Sequence, residues 1–470
     1  MMIRRVLLSS LLLAIACGDD DGAGDDGGVD MAMDVLLDPS ISEMGEEAGM
    51  EAGIEAGMEA GTEIGVDMAL PPLCPTADVI LDPVDGTVDF MQIGSDFVST
   101  AITLGSFAEG TLAADWINSG TTAPALTTTL SGDVVFPSSP GIDGVVTIID
   151  RTTSVVSRFC VASGSLIGQA NVGGEGFVGN PHDVVIVGVE GFASRYNPNL
   201  TPDAEEIDLG DDIFLFDARN MVPLGERIAL DTWAGEIEGV IDGAPGMVTI
   251  AARPDRMVLV GDTLAVGLDR QPIDQGGPGR AAGEGTLVLI DLESRELSSV
   301  TLPGGLNCGQ VVPVEGSDNR VAVTCKGYST AFFGGPGTRE SSGLYIVEIT
   351  DGTGTVVESW QPGADDTAAV WNVFSLGGTL VAGVEIGEFM VSNDVFAVVD
   401  VADGTVVDVF EAGGSFVLGQ GIAVDGGGRV PDSGGAPGTV RSFTFAGGVG
   451  SEGASSIFSD SLPAAGLYRF

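Results

Sequence analysis

One short pattern recurs along this chain and constrains its fold more than any other feature: an apolar, β-favouring run that ends in a carboxylate. It reads Val146-Thr147-Ile148-Ile149-Asp150, Ile213-Phe214-Leu215-Phe216-Asp217, Leu287-Val288-Leu289-Ile290-Asp291, Leu344-Tyr345-Ile346-Val347-Glu348 and Val395-Phe396-Ala397-Val398-Val399-Asp400. A degenerate copy runs from Thr439 to Phe445. The five acids stand 67, 74, 57 and 52 residues apart. Each run is followed by a short polar turn, such as Asp351-Gly352 or Asp403-Gly404, and then by another strand. From about residue 76 to the end there is no sustained helical periodicity, so this part of the chain is expected to be all β.

Two more strands precede each marked run. Arg253 to Val260, the turn Gly261-Asp262 and Thr263 to Gly267 show them clearly, and Pro181 to Gly188 is the equivalent stretch one unit earlier. Four antiparallel strands per unit, repeated, make the blade of a β-propeller. The order of strand, turn, strand, loop and acid-ended strand resembles the YVTN or lactonase-like propeller repeat, over roughly residues 130–445. The expected domain spans 76–470. The C-terminal stretch Leu462 to Phe470 is expected to be the innermost strand of one more blade. The segment from about 76 to 107, with Val79-Ile80-Leu81 and Phe97 to Thr103, would complete that blade. Joining the two termini in one sheet removes the last open edge. Six units plus this mixed one give seven blades, with six or eight as alternatives.

The start of the chain carries an address. Arg4-Arg5 is followed by an apolar stretch from Val6 to Ala16, too short to span a bilayer and of signal-peptide length. Cys17 follows Ala14-Ile15-Ala16, which resembles the bacterial lipobox, although Ala14 stands where that family usually has Leu. The resemblance implies a signal peptide over 1–16, acylation of Cys17 and a lipid-anchored exported protein, in the outer membrane and facing either the periplasm or the cell surface. Residues 17–72 form a linker with 16 acids and no base, including the repeat Glu-Ala-Gly-x from Glu47 to Gly65. A Gly every fourth residue costs about 1 kcal/mol each relative to Ala in a helix. The segment is therefore expected to be a self-repelling disordered spacer.

Charge excludes some partners. Acids outnumber bases 68 to 18, for a net charge of −50, and Lys326 is the single lysine. Such a chain repels nucleic acid and anionic head groups, which need clustered Lys and Arg. Membrane attachment then falls to the lipid.

Four cysteines remain after Cys17. Cys308 and Cys325 are symmetric about the turn Gly316-Ser317-Asp318, which places them opposite one another on adjacent strands. Cys74 is left to pair with Cys160, pinning the start of the domain to an outer strand. Two disulfides suit an exported protein. Thiolate metal binding, the rival reading, lacks the C-x-x-C spacing.

Candidate binding residues come from aligning the innermost strands, which superimposes Asp183, Arg256, Gln310, Asn372 and Gln420. One place earlier lie His182, the only histidine, Asp255, Gly309, Trp371 and Gly419. These positions ring the mouth of a central channel and are candidates for holding a small ligand or ion. Glycine-rich loops at 276–280, 334–339 and 434–438 fill the same connection in different blades and should crowd one rim. Asp203 to Asp212 is an acidic loop that a calcium ion would suit only without the EF-hand order. Pro431-Asp432-Ser433-Gly434-Gly435 resembles, over four residues, the nucleophile turn of chymotrypsin-like proteases, but a triad needs an oriented histidine, and the only one lies on a different repeat. No catalytic set, metal set or cofactor motif is assigned. The leading expectation is a non-catalytic binding or scaffold module for protein, glycan or small ligand. The alternatives are a lactonase-like hydrolase with a metal in the channel and a structural coat protein.

Overall fold

The computed structural model describes residues 74–75, 78–139, 144–174, 176–274, 279–327, 341–362, 369–386, 393–459 and 461–470. Cys17, the signal peptide and the acidic spacer lie outside the described residues. Among the described residues the secondary structure is β, apart from two single 3-10 turns at Glu206–Asp208 and Asp231–Trp233. This follows from the sequence: strands of two to ten residues are rich in Val, Ile, Leu and Phe, and glycine or Asp-Gly turns break them before a helix could propagate.

Seven sheets of four or more strands follow one another along the chain. Their first strands are Val134–Val135, Pro181–Val187, Pro254–Val260, Gln310–Pro313, Ala369–Gly377, Ile422–Val424 and Ala464–Arg469. From Pro181–Val187 onward, each of these lies against the first strand of the next sheet in chain order. The domain is a β-propeller, and these strands line its central channel.

The cores show why the ring is stable. Each hydrophobic cluster but one joins two neighbouring sheets. Ile149 and Val156 of the first sheet pack with Phe214 and Phe216 of the second, and Leu215 with Val266 and Val288 of the third. Leu289 packs with Val321 and Val347, Ile346 with Val373 and Val399, and Phe396 with Val430 and Phe443. Phe90 and Leu467 pack with Ile422 and Val440, and Ile93 and Ile102 with Val146 and Phe159, closing the circle. Burying an aliphatic or Phe side chain stabilises by roughly 1.5–3 kcal/mol, so each interface holds well over the energy of its hydrogen bonds. The exception is a small insert, Gly235–Ile241 with Ala244–Ile250 and Gly279–Arg280, which has its own core around Val248 and Ile250.

The termini meet as the sequence suggests. Ala464–Arg469 pairs antiparallel with Phe90–Ser95, with Gln92 opposite Leu467, and Phe90–Ser95 pairs in turn with Thr100–Ser106. Val79 does not join that sheet. It bridges Ser165 on the outer strand of the first sheet, and Cys74 is disulfide-bonded to Cys160 at the end of the third strand, Val155–Cys160, rather than to the outer strand expected from the sequence.

One detail of strand order differs from the sequence reading. In five sheets the marked strand is third from the channel, but Val145–Asp150 is second. Its acid serves a different end: Asp150 accepts from the Ser131 N–H and hydroxyl in the adjoining loop. The second disulfide, Cys308–Cys325, forms as expected. Gln310 pairs with Thr324, but beyond Gly309 the Lys326 N–H donates to Asn307 O and the Gly327 N–H to Leu306 O, so the register slips by one and the two cysteines stand opposite one another, with Cα atoms 3.8 Å apart.

Candidate functional site: a polar channel capped by a buried charge cluster

The first strand of each sheet runs away from one end of the channel, termed here the upper mouth, and second strands return to it. Residues at the starts of first strands therefore meet residues at the ends of second strands. Pro181 pairs with Arg195, Pro254 with Leu268, and Gln310 with Thr324. One or two positions past those second-strand partners lie Tyr196, Asp269 and Lys326, and they converge with His182 and Asp255.

His182 Nδ1 lies 2.8 Å from Asp255 Oδ1. A carboxylate only accepts, so Nδ1 carries the hydrogen and Nε2 keeps its lone pair. Burial lowers the imidazole pKa to about 4 against the pull of Asp255, so the ring is neutral near pH 7. It stacks on Tyr196, with ring centroids 4.0 Å apart. On the other side Lys326 Nζ lies 3.2 Å from Asp255 Oδ2 and 3.7 Å from Asp269 Oδ2, and 5.0 Å from the centre of the Trp371 ring. Tyr196 donates to Asp269 Oδ2 at 3.0 Å. With its amide turned to satisfy both groups, Asn307 donates to Asp269 at 2.7 and 3.3 Å. Gly309 must be glycine, since a Cβ there would stand 2.6 Å from Asp255 Oδ2.

The lysine makes this cluster affordable. Burial alone would raise Asp255, but Lys326, His182 and Arg256 outweigh it and hold its pKa well below the usual carboxylate range. Asp269 is pushed up to about 6 by burial and by the charge of Asp255, against the pull of Lys326. The chain's one lysine and one histidine thus meet through a shared aspartate.

Below the cluster lies a cavity of about 310 Å³ inside the channel. Arg256, Gln310, Gln420, Ser139, Ser375 and Tyr468 give it polar groups, and Val312, Phe374, Ile422 and Leu467 an apolar wall. Arg256 Nη1 donates to the carbonyls of Phe136 and His182 at 3.0 and 2.9 Å, which ties the cavity to the cluster above. Gln420 Nε2 donates to Val373 O at 2.8 Å.

Of the residues singled out in the sequence, Arg256, Gln310 and Gln420 line this cavity. His182, Asp183, Trp371 and Asn372 are not part of its lining. Asp183 is fully buried and clamps first strands together, accepting from Met257 N and Ser138 N. Asn372 donates to Leu418 O at 3.3 Å. Trp371 covers Lys326. Asp255 occupies the same aligned position as His182, but Asp269, Tyr196 and Lys326, which complete the cluster, do not recur at a fixed repeat position. Only the rarity of lysine, together with the pairing of first-strand starts to second-strand ends, pointed at them.

Of the acids in the loop 203–212, Asp203, Glu205 and Glu206 are exposed and the last two, Asp211 and Asp212, turn inward. Asp211 accepts from Ala252 N and Arg253 N, and Asp212 pairs with Arg195 and Arg227. Ser433 Oγ donates to Val417 O at 3.1 Å, in a sheet other than that of His182. The glycine-rich segments do fill one kind of connection, from second to third strand, but only 434–438 lies wholly within the described residues. Among the described residues no three His, Cys, Asp or Glu side chains converge as metal ligands, and no helix is long and apolar enough to cross a membrane.

Fold and site together define a β-propeller with a polar channel capped at its upper end. No family model matches the chain, and no curated protein matches it. Among solved structures it is similar to a putative 6-phosphogluconolactonase from Bacteroides fragilis, at 10% identity and a TM-score of 0.48, over 83% of this chain and 100% of that one. It is similar at 11% identity and 0.48 to a periplasmic gluconolactonase from Pseudomonas aeruginosa, over 82% and 99%. For BamB from Moraxella catarrhalis the figures are 11%, 0.40, 83% and 91%. Likenesses this distant assign neither activity nor ligand.

Proposed function

We propose that this protein is an exported lipoprotein, held to the cell envelope through acyl groups on Cys17, whose propeller binds a small ligand in its channel without transforming it. The observation that carries the reading is the channel cavity. Its volume lies at the lower end of the range for small-molecule sites. It combines amide, hydroxyl and guanidinium groups with an apolar wall, the mixture that fixes orientation and supplies affinity. The two disulfides suit an oxidising compartment. The propeller scaffold is rigid, so the cavity is preformed.

The test is to purify the mature protein from envelope extract, denature it, and identify released small molecules by mass spectrometry. Wild type should release a stoichiometric compound, and Ser139→Trp, which fills the cavity, should not. Equal content in both would sink the reading.

A hydrolase is the second reading, and one observation favours it: a neutral histidine oriented by a buried aspartate has the form of a general base. Turnover of esters or lactones that His182→Gln abolishes would establish it in place of simple binding.

A further inference from the structure

The cavity is not reached symmetrically. Its upper end stops at Arg256, beneath the buried cluster of His182, Asp255 and Lys326. Its lower end is lined by Glu315 and Arg469, at the far ends of the first strands. Two neighbouring hollows open at that end. One, of about 200 Å³, shares Glu315, Ala423 and Arg469 with the channel cavity. The other, of about 520 Å³, shares Arg469 with the channel and Asp425 with its neighbour. Arg469 borders all three, so the lower mouth is where solvent space and channel meet.

The charges at this mouth are poorly matched to each other. Arg469 Nη1 approaches Glu315 Oε1 only to 3.9 Å, beyond hydrogen-bonding reach, and the two side chains are 60% and 53% exposed. Asp425 has no hydrogen bond or ion pair among the described residues. Asp89, nearby, is already committed to the Ser106 hydroxyl and Phe107 N. One guanidinium fork therefore holds Glu315 only in a loose, solvent-exposed ion pair and shares its hollows with Asp425, with no hydrogen bond to either carboxylate. A plain anion at the fork would be repelled by both carboxylates, and a plain cation beside the carboxylates would be repelled by the fork. A group carrying both charges satisfies all three side chains.

We propose that the lower mouth receives a zwitterion of the free α-amino acid class. Its carboxylate lies on Arg469, its ammonium faces Glu315 and Asp425, and its uncharged side chain projects into the channel against Phe374 and Leu467. The proposal rests on the channel-binding reading and names its ligand chemistry and its direction of entry. Arg469 belongs to the strand that closes the ring, so the site exists only when the C-terminal strand is in place.

The experiment is calorimetric titration of the mature full-length protein with each of the common α-amino acids. The best binder is then compared with its deaminated acid and its decarboxylated amine. The zwitterion should bind at least 10-fold more tightly than either analogue. Arg469→Gln should weaken it at least 10-fold while leaving the unfolding midpoint unchanged, since that side chain is mostly in water. Ser139→Trp should abolish binding. An acid analogue that binds as well as the zwitterion overturns the proposal, as does amino-acid binding that Ser139→Trp leaves intact. If no amino acid binds but the channel still yields a co-purified compound, this inference fails and the channel reading stands. If neither is seen, both fail.

Discussion

Replacing Lys326 with methionine removes the one cation that two buried aspartates share. At 3.2 and 3.7 Å and an effective dielectric constant of 20, each pair interaction is worth about 5 kcal/mol before desolvation is subtracted. Stranding one buried charge typically costs 3–5 kcal/mol net, and we expect a loss of about that size at pH 8. The loss should depend on pH in a definite direction. In wild type Asp269 titrates near 6, above its ordinary value of 3.8. An acid raised by folding is fully accommodated below its unfolded pKa, and its ionisation costs stability as pH climbs through the folded one, here about 3 kcal/mol in all. Without Lys326 Asp269 shifts further upward and Asp255 rises from its depressed value towards the ordinary one, so Asp269 sheds its charge as the pH is lowered. The variant's deficit relative to wild type, read from urea unfolding at each pH, should therefore shrink to about half or less between pH 8 and pH 5. A deficit that is equal at the two pH values would refute the shared-lysine account and leave only lost side-chain packing.

Three further outcomes are expected. Among the described residues Arg158, fully buried, reaches only the Ala218 carbonyl and leaves Nε and Nη2 without partners; Arg158→Met should be neutral or stabilising by about 1–2 kcal/mol in urea unfolding, and a large loss would show an unseen counter-charge. Opening the 17-residue loop by Cys308→Ser with Cys325→Ser should cost about 3 kcal/mol, measured as the difference in unfolding free energy; no change would mean the bridge does not form in solution. Cys17→Ala should move the protein from the membrane pellet to the soluble fraction, and continued sedimentation with membranes would remove the lipid anchor.

The fold was legible because its cause is local and repeated. Every blade needs an alternating strand set and a tight turn, and the apolar, acid-ended runs with the polar turns that follow them print that requirement five times. Where the acid took a different task, as at Asp150, the repeat misled by one strand. The Cys308–Cys325 pairing was legible because the symmetry of the two residues about a single turn places them opposite one another, with Cα atoms 3.8 Å apart. The channel site was half legible. Arg256, Gln310 and Gln420 sit at repeat positions and could be aligned. Tyr196, Asp269 and Lys326 occupy the ends of neighbouring second strands and are of three different types, so no periodicity marks them. The lower mouth was invisible in sequence, because Glu315, Asp425 and Arg469 each lie just past or at the end of a different first strand and meet only when the ring closes.

Closure by the C-terminal strand is the claim on which channel, cluster and mouth all depend. In this structure Gln92 stands opposite Leu467, at a Cα separation that an antiparallel pair allows a disulfide to span. Intact-mass and peptide mapping of oxidised Gln92→Cys/Leu467→Cys should reveal a third disulfide joining these two positions in nearly all molecules, while the mismatched control Gln92→Cys/Phe470→Cys should keep free thiols. Free thiols in the matched variant, or equal cross-linking in both, would contradict the closed ring.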